Sequence, residues 1–155
     1  GKLIRQIATA IPSGYPVHVA EGATLDLNSK GDFTASSLSG GGAIVNVPNV
    51  VLSSSSKVYV TLDEVFGAKR SPLSISGKLK LGEAVEIVVT DPENVDKYAS
   101  HDRVELVRAD EVVRASPETA ITILPAELSD RLRARATSNA IVLSGRNKGI
   151  VLIVR

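Results

Sequence analysis

Ser100-His101-Asp102 sets a hydroxyl, an imidazole and a carboxylate side by side, the three groups of a nucleophilic triad. Neighbours on a chain project in different directions, whereas a triad needs side chains that converge from separate elements. The string therefore reads as a turn, with Asp102 a turn or cap residue and His101 a lone candidate general acid or base. The other histidine, His18, lies between Val17 and Val19 and is expected on the outward face of a strand. Two histidines and no cysteine fall short of a histidine-only zinc site, which takes three ligands. Carboxylates pair at Asp63/Glu64, Asp110/Glu111 and Glu83/Glu86, each beside a turn with Lys or Arg nearby, and read as solvated surface. Gly40-Gly41-Gly42 suggests a phosphate loop. Such a loop opens a helix whose first amides hold the anion. Here β-branched residues and Pro48 follow, a strand context, so the glycines are expected to form a flexible turn. No catalytic, cofactor-binding or metal residue is assigned, and neither an enzyme nor a cofactor is expected.

Two groups remain as candidate partner contacts. Arg131, Arg133 and Arg135 form the basic cluster of the chain. On a helix, Arg131 and Arg135 share a face and Arg133 does not. Their stems can cover apolar surface, or their guanidinium groups can meet phosphates or an acidic partner. The second group is the apolar N-terminal segment, with Leu3, Ile4, Ile7 and Ile11 ahead of Pro12-Ser13-Gly14.

The elements that carry these residues read mostly as strands. "PVHVAEGATLDL" gives two strands around a hairpin-type turn at Glu21-Gly22. "GAIVNVPNVVL" alternates until Pro48, which places it at an edge or bulge. Ser53–Ser56 read as a polar loop between two strands. "KVYVTLD", "PLSISGKLKL" and "EAVEIVVT" alternate again, with Leu73, Ile75, Leu79 and Leu81 on one face. Asp91-Pro92-Glu93 starts a short helix running to Ser100, with Asp91 as its cap. "DRVELVRADEVVRA", "TAITIL", "AIVLSG" and "GIVLIVR" are further strands. "PAELSDRLRARA" is expected to be the main helix, with Leu124, Leu128, Leu132 and Ala136 on one stripe and Glu127/Arg131 as an i,i+4 pair. No repeat of fixed period is visible. The fold class is mainly β, a β-rich α+β chain: an antiparallel sandwich or barrel-like sheet with two or three short helices. Residues 1–12 read as an N-terminal arm and 13–155 as one β-rich domain, with two lobes meeting near 77.

Composition narrows the function. The 155 residues carry a net charge of +1, too little for nucleic-acid binding by bulk electrostatics. No apolar run approaches a membrane span. Aromatic residues make up 3%, with no Trp, which disfavours stacking platforms for sugars or bases. Residues 1–76 hold 6 basic and 5 acidic residues, against 12 and 12 in 77–155. A Ser/Gly/Val-rich half with little charge suits surfaces that neighbours cover. The expectation is a non-enzymatic, self-assembling structural protein: a virion capsid, decoration or other coat or filament subunit, with copies of itself or a larger assembly as partner. A virion or extracellular assembly is its expected setting, with the cytoplasm as alternative.

The alternative function rests on the C-terminal third. "AITILPAELSDRLRARATSNAIVLSGRNKGIVLIVR" resembles, in order, the swapped-hairpin domain of bacterial and archaeal transition-state regulators: strand, Pro-led helix, strand pair. The Gly-Asp that follows the helix in that family is Thr137-Ser138-Asn139 here. The resemblance implies a small DNA-binding regulator.

Overall fold

The computed structural model describes residues 1–4, 14–28 and 31–146. Their strands coil, turn upon turn, into three walls. Wall A stacks β1 (Lys2–Ile4), β3 (Thr24–Asp26), β5 (Ala43–Val45) and the first parts of β7 (Leu73–Leu81) and β9 (Val104–Arg114). Wall B stacks the start of β4 (Phe33–Gly40), the start of β6 (Asn49–Val60) and the ends of β7 and β9. Wall C stacks β2 (Tyr15–Val19), the ends of β4 and β6, β8 (Ala84–Val89) and β10 (Ala120–Leu124). Every pairing in the three walls is parallel. The architecture is a β-solenoid, whose turns each contact only their neighbours.

Inward residues lie directly over one another. Leu25, Ile44, Ile75 and Ala109 form one buried column, and Leu38, Val58, Ile87 and Ile123 another. Each buried Leu, Ile or Val contributes about 1.5–3 kcal/mol. One core cluster runs from Val19 to Leu143, and Gly77 lies inside β7.

Left-handed backbone turns the chain from wall A to wall B, at Asn28 (φ 52°) and Asn46 (φ 55°). Asn tolerates this region because its short side chain bonds locally. Here the local acceptor is Asp26, whose Oδ1 takes the Asn28 N–H and the Asn46 Nδ2–H, both at 2.9 Å. Lys2 reaches Asp26 Oδ2 at 3.0 Å, tying the first turn to the second.

The chain is mainly β with a few short helical turns, as expected, but its three walls are parallel, and antiparallel pairing is confined to β9, β12 and β11 among the described residues. β2 and β3 flank Glu21-Gly22 without pairing with each other; each pairs with the next turn instead. Ser53–Ser56 lie within β6, where that strand bends from wall B into wall C. Gly40–Gly42 are buried rather than flexible: a Cβ on Gly40 would strike the Val19 carbonyl, and one on Gly42 those of Ala20 and Ala23. Among the described residues, no helix is long and apolar enough to cross a membrane.

The stack ends in an antiparallel hairpin. β12 (Ala140–Gly145) pairs with β9, and β11 (Leu132–Ala136) pairs with β12. The expected main helix is thus a 3-10 turn, Ala126–Asp130, followed by a strand. Leu128, Leu132 and Ala136 are buried all the same. This also removes the helix from the regulator resemblance, leaving strand, Pro-led turn and strand pair. Of the N-terminal segment, Leu3 and Ile4 belong to β1. Ile7 and Ile11, like "GIVLIVR" from Gly149 onward, lie outside the described residues.

Candidate functional site

Three successive turns carry their extra residues at the same corner, between wall C and wall A. Residues 61–72 follow β6, 90–103 follow β8, and 125–131 follow β10. The first contains a π-helical turn, Asp63–Gly67. The second contains a 3-10 turn, Pro92–Asn94, that runs into α1 (Val95–Tyr98).

Because their starting strands are stacked, the first two insertions begin in register. Thr61 and Thr90 share a hydroxyl hydrogen bond of 2.8 Å. Asp91 does not cap its own helical turn. Its carboxylate crosses to the first insertion and accepts the Leu62 N–H at 2.6 Å and the Asp63 N–H at 3.0 Å. Asp63 replies with both oxygens: Oδ1 accepts the Tyr98 hydroxyl at 2.6 Å and Oδ2 the Asn94 amide at 3.0 Å. That bond to Asp63, with partial burial and the nearby Asp91 charge, holds the Tyr98 hydroxyl above the ordinary phenol pKa. The ring of Tyr98 stacks on Phe66 at 5.4 Å, and the edge of His101 meets Tyr98 at 5.0 Å. Gly67 makes this approach possible, since a Cβ there would stand 2.7 Å from the Tyr98 hydroxyl. Arg131 of the third insertion reaches back to Asp96 at 3.1 Å. The two insertions therefore form one ordered body.

Between their returning arms lies a cleft of about 570 Å³. Val65, Phe66, Pro72 and Val104 give it an apolar floor. Lys69, Arg70, Arg103, Arg108 and His101 ring it, with Asp102 and Glu105 as its acids. Arg70 is held by Glu64 and Arg108 by Glu105, each at 2.6 Å, and the latter contact raises the Arg108 pKa further. Lys69 and Arg103 are exposed and have no acid partner among the described residues. Lys69 adopts left-handed backbone (φ 54°), a strained state for a non-glycine residue. Hydrogen bonds on either side fix it: Ala68 N–H to Asp63 O at 2.8 Å and Arg70 N–H to Glu64 O at 2.9 Å.

No family model, curated protein or solved structure matches this chain.

His101 and Asp102 line the cleft, Asp63 and Asp91 tie together the insertions beside it without lining it, and Ser100 and Asp102 converge on no triad among the described residues. The arginine cluster divides. Arg131 braces the corner; Arg133 and Arg135 point outward from β11 and do not line the cleft. His18 is exposed, its Nδ1 2.9 Å from Ser39 Oγ. Glu111 and Glu86 pair with Lys78 and Lys57, as surface carboxylates do. Among the described residues no group of three or more His, Asp or Glu is placed to hold a metal ion. Lys69, Arg70, Arg103 and Arg108 escape sequence reading because they are spread over 40 positions that only the stacking of turns brings together. The adjacent pair Lys69-Arg70, in the one stretch between β6 and β7 that lacks strand alternation, is the signal available.

Proposed function

We propose that this chain is a non-enzymatic structural subunit that assembles end to end with copies of itself, as a coat or filament component does. The first turn carries the reading. β1 pairs with β3 and β2 with β4, and neither has a partner on its outer edge among the described residues. Such an edge is a row of unpaired N–H and C=O groups, a template for another strand. Parallel stacks extend by adding one strand per wall, so a second copy would complete walls A and C together. The exposed Tyr15 (63%) borders this edge and would be covered in the contact. Two first turns meeting about a two-fold axis, their strands antiparallel across the contact, make the smallest closed pair, whereas a filament needs the first turn of one copy to meet the last turn of the next. A virion or extracellular particle fits this build.

Light scattering and sedimentation across the micromolar range test the reading. A concentration-dependent dimer or larger species is expected. Deleting residues 1–11, which removes β1, should weaken it while the far-UV spectrum stays β-rich. A strict monomer at every concentration, or assembly unchanged by the deletion, would overturn it.

A further inference from the structure

The corner cleft has the chemistry of a recognition site, and none of the residues that line it belongs to β1 or β2, the strands of the proposed assembly contact. We propose that it binds a phosphate or sulfate monoester, the oxyanion held by Lys69 and Arg103 and the organic group laid on Phe66 and Pro72.

The charge balance points to an anion. Four cations line the cleft against Asp102 and Glu105. Counting Glu64, which pairs with Arg70 from outside the lining, still leaves one positive charge in excess. The excess sits on the two cations that lack acid partners among the described residues, so their donors are available to a ligand. Arg70 and Arg108 are already oriented by their carboxylates and need little reordering, which lowers the entropic cost of binding. Planar guanidinium groups suit tetrahedral oxyanions, and charge-assisted bonds of this kind are about twice as strong as neutral ones. The strained backbone of Lys69 gives the second argument. Its hydrogen-bonded neighbours spend stability to hold one lysine at the mouth of a cleft, and such strain gathers at ligand sites. The apolar floor gives the third, because a free inorganic ion has no use for Val65, Phe66, Pro72 and Val104. A monoester of a compact apolar or aromatic group uses both halves of the site.

The test is a titration followed by amide chemical shifts at constant ionic strength, with four probes: inorganic phosphate, inorganic sulfate, phenyl phosphate and phenyl sulfate. Saturable shifts confined to residues 64–72 and 101–108 are expected for at least one of the two phenyl esters, with tighter binding than for its inorganic parent. The ester that binds tighter identifies the source as phosphorylated or sulfated. Lys69→Gln and Arg103→Gln lie on exposed positions and should leave the melting temperature unchanged. Each should weaken binding about tenfold, the worth of one charge-assisted bond. Arg133→Gln and Arg135→Gln should leave it unaltered. Overturning results are the absence of saturable shifts with all four probes, equal affinity for ester and inorganic ion, or binding indifferent to both cleft substitutions.

Discussion

Asp91→Ala is the sharpest test of how the corner is built. Asp91 is 8% exposed, and its carboxylate is the acceptor for two backbone amides of the neighbouring insertion. Leu62 is fully buried, so its amide has no water to turn to once the carboxylate is gone. A buried donor left unmade costs about 1–3 kcal/mol. Asp63 is exposed and its amide can be rehydrated, so its loss adds less, about 1 kcal/mol. The expected total is about 2–4 kcal/mol. Asp91→Asn keeps one acceptor oxygen for Leu62 and turns an N–H₂ group toward Asp63, so it should cost roughly half as much. Urea denaturation with linear extrapolation gives the stabilities. Amide exchange at Leu62 reports the corner alone, which matters in a solenoid whose turns can open locally. A loss below about 0.5 kcal/mol, the scale of a surface substitution, would refute the reasoning. So would equal losses for the Ala and Asn variants.

Leu132→Ala and Leu128→Ala should each cost about 2–5 kcal/mol by urea denaturation, since both side chains are buried under the closing hairpin. The Asp26 carboxyl is held below its usual pKa, first by the Asn46 amide, then by the Asn28 N–H and Lys2. Its folded value is depressed, so it stabilises the fold above the unfolded value near 3.8 and that contribution is lost as pH falls through the folded value. Urea midpoints compared at neutral pH and below pH 3.8 should therefore fall less steeply in Asp26→Asn than in the parent chain. The Ser56 hydroxyl is buried without a hydrogen-bond partner among the described residues, so Ser56→Ala should raise the melting temperature, with a gain of about 1 kcal/mol.

Strand identity is legible in this sequence because period-2 alternation survives in nearly every wall segment. Leu73, Ile75, Leu79 and Leu81 all point inward as their spacing says. Strand direction is not legible. A parallel stack announces itself by a repeat, and the aligned positions Thr24, Ala43, Ser74 and Arg108 are 19, 31 and 34 residues apart. The corner insertions erase the period. Around Leu128 and Leu132 two patterns compete, leucines spaced by four and arginines spaced by two at 131, 133 and 135. The leucine spacing favours a helix, yet pairing with β12 decides for a strand, in which Arg133 and Arg135 alternate outward with Leu132 and Ala136 inward. Asp91 shows the same limit at the site. Its position before Pro92 marks it as a cap, while the amides that donate to it belong to a loop nearly 30 residues earlier.

The uneven length of the turns has a consequence for how such a rod can vary. Each doubling of a loop adds only about 0.6 kcal/mol of closure entropy, while a one-residue slip in any wall would turn its inward column to solvent. The longest new segments therefore sit at the corner after wall C, and shorter ones enter between walls B and C, where Leu52 to Lys57 of β6 matches Ala35 to Ser37 of β4. The opposite turn at Asn28 and Asn46, tied to Asp26, varies less: Asp26 to Phe33 matches Val45 to Val50 and is two residues longer. A foreign peptide spliced beside Ala68 should be displayed without disturbing the stack, which makes this edge a natural grafting point. Variation in length accumulates there, and the rod can broaden outward while its axis stays as long as its count of turns.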